Sequence, residues 1–262
     1  MMRSVYTAAS GMSTQQHHID TIANNLANSN TTGFKKSRME FQDLMYDTAR
    51  PAGATLATGG TVPLGTQTGL GAKTAATQRI MSQGVFQQTG GQLDVAIEGD
   101  GYFQIQLPDG SLAYTRDGAF KRDAQGQLVT TDGYILSPQI TIPQDATNIV
   151  VGTDGKVSVF LQGQTTPTDA GQITLARFPN QVGLTSKGRN LYAESPASGT
   201  PVTGNPTTTG LGSLSQGFLE MSNVQVVDEM VNMITAQRAY EINARVIQGA
   251  DHMLGIVAQL KQ

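Results

Sequence analysis

Four groups of residues have types and spacings that could do chemistry. Gly69-Leu70-Gly71-Ala72-Lys73-Thr74 carries the glycines, lysine and hydroxyl of a phosphate-binding loop. Such a loop needs its lysine directly after a glycine, and Ala72 intervenes, so the run reads as a linker turn. Asp94, Glu98 and Asp100 bring three carboxylates close together, as paired acid–base catalysis of glycoside cleavage would require. In a Gly-rich, turn-rich stretch they read as turn formers. His17, His18 and His252 are the only histidines. Adjacent histidines on a helix point in different directions, whereas helical metal sites use i, i+4 spacing, so a polar interface role follows. Asn30-Thr31-Thr32 fits the glycosylation triplet, a pattern frequent by chance, with nothing else to mark a eukaryotic secretory route. There is no Cys, which excludes disulfides, thiolate metal sites and cysteine nucleophiles. The sequence predicts no catalytic residues, no cofactor and no metal site, and hence no enzyme.

Composition points to a different use. Only 14% of residues are charged, against about a quarter in an average chain. Gly, Thr, Gln, Asn and Ser fill the gap, which suits a surface that other copies will cover. A net charge of −3 leaves the whole chain without a nucleic-acid footprint. No apolar stretch reaches the ~18 residues of a membrane helix, so direct membrane insertion is not expected. The opening MMRSVYTAAS lacks the apolar core of a secretory signal, so export would use a route without a cleaved one.

The elements that must position these residues are two helices and a β region. At the N-terminus Val5, Met12, Ile19 and Leu26 recur every seven residues, with Ala8, Gln15 and Ile22 interleaved. That is the pattern of a heptad seam. Residues 28–33 supply Asn and Gly to end the helix. At the C-terminus Val226, Met233, Tyr240, Ile247 and Leu254 repeat the spacing. Met230, Ala244 and Ala258 interleave, Gln237 and Asp251 break that row, and Val246, Met253 and Leu260 widen the stripe. Gly249 and Gly255 weaken the end of this helix by about 1 kcal/mol each. Between Ser4 and Phe34 the only formal charge is Asp20, as expected of a helix contacted on several sides.

The middle of the chain reads as β. Asp-Gly pairs at 100–101, 109–110, 117–118, 132–133 and 154–155 separate β-prone runs at 102–107, 112–115, 127–131, 156–161 and 172–178. Asp-Gly between such runs is a hairpin signal, because the turn needs positive φ. Residues 51–72 and 195–219 contain no charge and are rich in Gly, Thr and Pro, which predicts extended or disordered linkers. If the terminal helices pair, these linkers run side by side as a small second layer. The expected fold is α+β. Residues 1–45 with 220–262 form a paired, coiled-coil-like helical domain, 46–92 with 193–219 an extended linker layer, and 93–192 a mostly antiparallel β domain.

Two longer stretches are more specific. SVYTAASGM (residues 4–12) and TIANNLANSNTTGFKK (residues 21–36) resemble the N-terminal signature of the bacterial flagellar rod and hook family. SNVQVVDEMVNMITAQRAYEINARVI (residues 222–247) is similar to that family's C-terminal signature. AIEGDGYFQIQLPDGSLAYTRDGAF (residues 96–120), the chain length and the low-complexity segment at 46–63 resemble the subfamily of the distal rod more than the hook proteins. In that family the segment at 46–63 goes with a straight, stiff shaft. The resemblance implies a homo-oligomeric helical polymer, a hollow shaft spanning the periplasm, with terminal helices lining the tube and the β domain outside. It implies proximal rod subunits below, hook protein above, ring bushings around, and delivery by the flagellar type III export apparatus. The seams are then the expected subunit interfaces: Val5, Ala8, Met12, Ile19, Ile22 and Leu26 at one end, and Val226, Met230, Met233, Tyr240, Ala244, Ile247 and Leu254 at the other.

Overall fold

The computed structural model describes residues 2–53, 63–164, 166–208 and 210–259. Helix α1 spans Met2–Ala27 and α2 spans Val226–Gln259. α1 stops where the Asn- and Gly-bearing run begins, and Gly33 takes φ +67°. Asp228 and Glu229 occupy the first turn of α2, where negative charge offsets the orphan amides and the helix dipole.

Between the helices lie β1 (Ser37–Asp43), β2 (Tyr46–Arg50), β3 (Thr66–Gly69), β4 (Ala72–Arg79), β5 (Phe86–Gln88), β6 (Val95–Glu98), β7 (Tyr102–Gln106), β8 (Leu112–Thr115), β9 (Lys121–Arg122) and β10 (Leu128–Val129). They continue with β11 (Ile135–Ser137), β12 (Ala146–Val151), β13 (Lys156–Leu161), β14 (Thr168–Gln172), β15 (Leu175–Arg177), β16 (Thr185–Gly188), β17 (Leu191–Ala193), β18 (Val202–Gly204), β19 (Ser213–Gln216) and β20 (Phe218–Glu220). The chain divides into two compact units. The helical unit comprises Met1–Ala27, Ser37–Gln78 and Gln225–Gln262, and the β unit comprises Asn28–Lys36 and Arg79–Val224.

In the helical unit β1 pairs with β4, and β2 pairs antiparallel with β3. In the β unit the main sheet runs β16-β17-β8-β7-β11-β10-β9, with β15 joining β7 to β18. β12, β13 and β14 form a second antiparallel sheet. β7 is buried on both faces. Phe103 and Ile105 point into the principal core with Leu136, Val157, Val159 and Leu175. Tyr102 points the other way, into a smaller cluster with Tyr114, Phe178 and Tyr192. Each such side chain removed from water contributes roughly 1.5–3 kcal/mol.

Three Asp-Gly pairs form the expected hairpin turns: 109–110 between β7 and β8, 132–133 between β10 and β11, and 154–155 between β12 and β13. Their glycines have φ near +80° to +87°. The other two differ. Asp100-Gly101 leads into β7, and Gly118 is a close approach, where a Cβ would lie 1.7 Å from Val95 O. The uncharged segments also hold strands: β3 in one, and β18, β19 and part of β20 in the other. β19 pairs with β6, and β20 with β5. Their backbone groups are satisfied by distant strands, which composition does not encode. Residues 54–62, within the low-complexity segment, lie outside the described residues.

Candidate assembly surface

The helical unit shows which helix faces are used within one chain. α1 and α2 pack against each other in antiparallel register. Gly11 approaches Asn243 so closely that a Cβ would lie 2.9 Å from its Nδ2. Asn25 Nδ2 donates to Glu229 Oε2 at 3.3 Å. The internal seam therefore consists of Ala8, Gly11, His18, Ile22 and Asn25 on one helix, facing Glu229, Ala236, Asn243 and Ala250 on the other. Burial follows: Ala8, Ile22, Asn25, Glu229, Ala236 and Ala250 are all shielded from water.

One row on each helix thus lies one residue earlier than the apolar count predicts. On α1 the companion of Ala8, Gln15 and Ile22 is Gly11, His18 and Asn25. Val5, Met12, Ile19 and Leu26 are only partly buried. On α2 the row beside Met233, Tyr240, Ile247 and Leu254 is Glu229, Ala236, Asn243 and Ala250. Met233, Ala244 and Ile247 are partly buried, while Val226, Met230, Tyr240 and Leu254 are exposed. Small and polar side chains let the helices approach closely, and a search for apolar residues passes over them. Leu260 lies outside the described residues.

Many apolar residues of α2 remain outside. Val227 is 74% exposed, Val231 55%, Ile234 54% and Ile242 60%, and Val226, Met230, Val246, Met253, Leu254 and Ile256 are also in water. Isolated exposed apolar residues are ordinary. A run along most of one 34-residue helix is the kind of surface that interaction sites present.

The signature motifs have structural explanations. Asn25 closes the entry to β1: its Nδ2 donates to Ser37 O at 2.8 Å, and Ser37 N donates to its Oδ1 at 2.9 Å. In the β unit Lys35, Glu220 and Arg116 are fully buried together. Lys35 Nζ donates to Glu220 Oε1 and, at 2.8 Å, to Ser82 O. Arg116 Nη1 reaches Glu220 Oε2 at 3.4 Å, and its guanidinium lies 5.1 Å from the Tyr102 ring centre. Burial pulls the Lys35 ammonium below its ordinary pKa, against the opposing pull of Glu220. Burial likewise pushes the Tyr102 phenol up to about 12. Gly33 is required on two counts: positive φ, and a Cβ that would lie 2.7 Å from Asp117 N.

The candidate chemical groups are dispersed. Residues 69–74 form the turn from β3 into β4, with a Cβ at Gly71 meeting Ser10 Oγ at 2.2 Å. That is strand–turn–strand rather than the strand–loop–helix of a phosphate site. Asp94 accepts from Thr89 Oγ1 at 2.5 Å, and Glu98 and Asp100 are exposed. His17 and His252 are exposed, whereas His18 is half-buried edge-on to Phe41 at 5.5 Å. Burial holds the His18 imidazole below its ordinary pKa, with Glu229 pulling the other way. Among the described residues no group of three His, Asp or Glu side chains could hold a metal, and no helix is long and apolar enough to cross a membrane.

Terminal helices joined by small and polar residues, with an apolar stripe left outside, define a subunit of an assembly. Comparison with known proteins specifies the assembly. Residues 5–35 match the flagella basal body rod protein family, residues 96–159 the flagellar hook protein FlgE/F/G D1 domain, and residues 215–260 the flagellar basal body rod FlgEFG protein C-terminal family. The chain is 53% identical over 265 residues, all of both chains, to the flagellar basal-body rod protein FlgG of Borreliella burgdorferi. It is 49% identical to the proteins of the same name from Buchnera aphidicola subsp. Schizaphis graminum and Caulobacter vibrioides, each over 99% of this chain and the whole of the relative. The chain belongs to the flagellar basal-body rod protein family.

Proposed function

We propose that this structural subunit of the distal flagellar rod polymerises through the apolar stripe of α2 together with the partly buried residues of α1. The observation that carries this reading is the exposure of Val227, Val231, Ile234 and Ile242 on one long helix. In the polymer Val5, Met12, Ile19 and Leu26, with Val226, Met230, Tyr240 and Leu254, join coiled-coil-like seams between copies, adding to the internal seam of each chain. Many such contacts resist shear, as a stiff hollow shaft that transmits torque requires. Its role is structural rather than catalytic. The resemblance to the rod and hook family supports the neighbours: proximal rod subunits, hook protein, ring bushings and the type III export apparatus, with the shaft spanning the periplasm. The uncharged, Gly- and Thr-rich composition of 51–72 and 195–219 supports the three-part organisation of 1–45 with 220–262, 46–92 with 193–219, and 93–192. Electron cryomicroscopy of polymer grown from the purified chain tests the proposal. Filaments with the α2 stripe at subunit contacts are expected. Filaments in which that stripe faces solvent would overturn it.

A further inference from the structure

The buried charges of the β unit sit where the chain enters and leaves it. Three segments make these passages: residues 33–36, 80–84 and 220–223. Every pair of them is tied. Between the first and third, Gly33 N donates to Glu220 O at 2.8 Å, and Lys36 N donates to Asn223 Oδ1 at 2.8 Å. Between the first and second, Ile80 N donates to Lys36 O at 2.9 Å, and Lys35 Nζ to Ser82 O. Between the second and third, Gly84 N donates to Glu220 Oε1 at 2.9 Å, and Asn223 Nδ2 donates to Ile80 O at 2.8 Å and Ser82 O at 3.1 Å. Arg116, one residue beyond β8, ties the knot to the main sheet through the second carboxylate oxygen of Glu220. At Gly84 a Cβ would lie 1.9 Å from Met221 O, so the segments touch backbone to backbone.

This arrangement is a costly way to stabilise a fold. Two cations and one anion are buried, leaving an excess positive charge, and Arg116 Nε has no hydrogen-bond partner. Apolar residues of similar volume often serve stability as well or better. What a buried ion pair adds is directional: it permits one arrangement and penalises every displaced one. Six hydrogen-bonded partners around one carboxylate and one amide make a point that resists being pulled apart along the chain.

We propose that Lys35, Glu220, Arg116 and Asn223 form a mechanical anchor that locks the three passing segments so that tension on the chain reaches the main sheet without slack. The four are positioning residues for force transmission. The importance of such an anchor to the organism rests on the shaft-subunit reading above, but the anchor itself is testable on the monomer.

The chain has no Cys, so introduced cysteines give unique handles for optical tweezers. Asn30→Cys with Gln225→Cys, both at exposed positions, pulls the first segment against the third. Asp109→Cys with Lys187→Cys, also exposed, pulls across the sheet instead. Lys35→Met is expected to lower the rupture force on the first axis by about half or more and to leave the second unchanged. Asn223→Ala is expected to do the same, and it decides alone if Lys35→Met loses amide-exchange protection across the β unit. Unchanged force on the first axis, or equal weakening on both axes, would overturn the anchor and make the cluster an ordinary fold stabiliser. Failure of the unmodified chain to polymerise would instead count against the shaft reading and leave the anchor standing.

Discussion

Ile234→Asp separates the fold of the chain from its assembly. Ile234 is 54% exposed on α2, so about half its side chain is still in water. In the monomer the substitution loses the buried half, about 1 kcal/mol, and some helix propensity, roughly 0.5 kcal/mol. In a polymer that covers the stripe, the remaining half is lost too, and a carboxylate is buried without a partner. Together these cost about 3 kcal/mol or more per subunit. Since each 1.4 kcal/mol is tenfold in an equilibrium constant, the critical concentration for polymerisation should rise roughly a hundredfold or more. Sedimentation of polymer against total protein gives that concentration, and far-ultraviolet dichroism shows whether the helices persist. Ala236→Asp is the contrast. Ala236 faces α1 and is 3% exposed, so the same charge there should unfold the helical unit of the monomer. Polymerisation of Ile234→Asp at the unmodified concentration would refute the assignment of that face.

Three further outcomes follow from single sites. Gly33→Ala should destabilise the β unit by about 2 kcal/mol or more, because the backbone needs positive φ and Asp117 N blocks the Cβ; denaturant titration measures it. Gly249→Ala should raise the helical stability of the end of α2 by about 1 kcal/mol, since a Cβ there meets nothing within 4 Å; a thermal melt followed by far-ultraviolet dichroism would show no gain if that end were already held. His18 sets a pH dependence. Its folded pKa lies below 6.5, so the stability of the helix pair is fully present above that value. It declines as pH falls through the lowered pKa, because protons then bind the unfolded chain more strongly. Amide exchange in α1 should quicken across that window, and His18→Gln should abolish the dependence.

Much of the fold is legible in residue order. α1 ends where Asn and Gly cluster, and three Asp-Gly pairs close hairpins. The helix seams are legible only by half. Ala8, Ile22, Met233 and Ile247 fall on faces that an apolar repeat finds, but Gly11, Asn25, Ala236 and Asn243 complete the contact with almost no hydrophobic signal. Gln237 and Asp251 were the clue, since residues that break a predicted row can mean that the true row lies beside it. The buried charges were the least legible feature, because Lys35 and Glu220 are 185 residues apart. Yet in a chain so poor in charge, Glu220 comes directly after 195–219, a stretch with none. A lone charge in such a setting needs a reason, and only tertiary structure supplies its partner.

In the proposed polymer, the near-absence of charge on α1, beside the apolar face of α2, sets the thermodynamic character of growth. Contacts made by removing hydrocarbon from water are driven by entropy near room temperature and carry a negative heat-capacity change. Subunits joined in this way bind more tightly on warming and loosen in the cold. Sulfate promotes their association, and dilute sodium chloride, which screens ion pairs, changes it little. A shaft with such joints keeps its cohesion when the ionic strength around the cell changes.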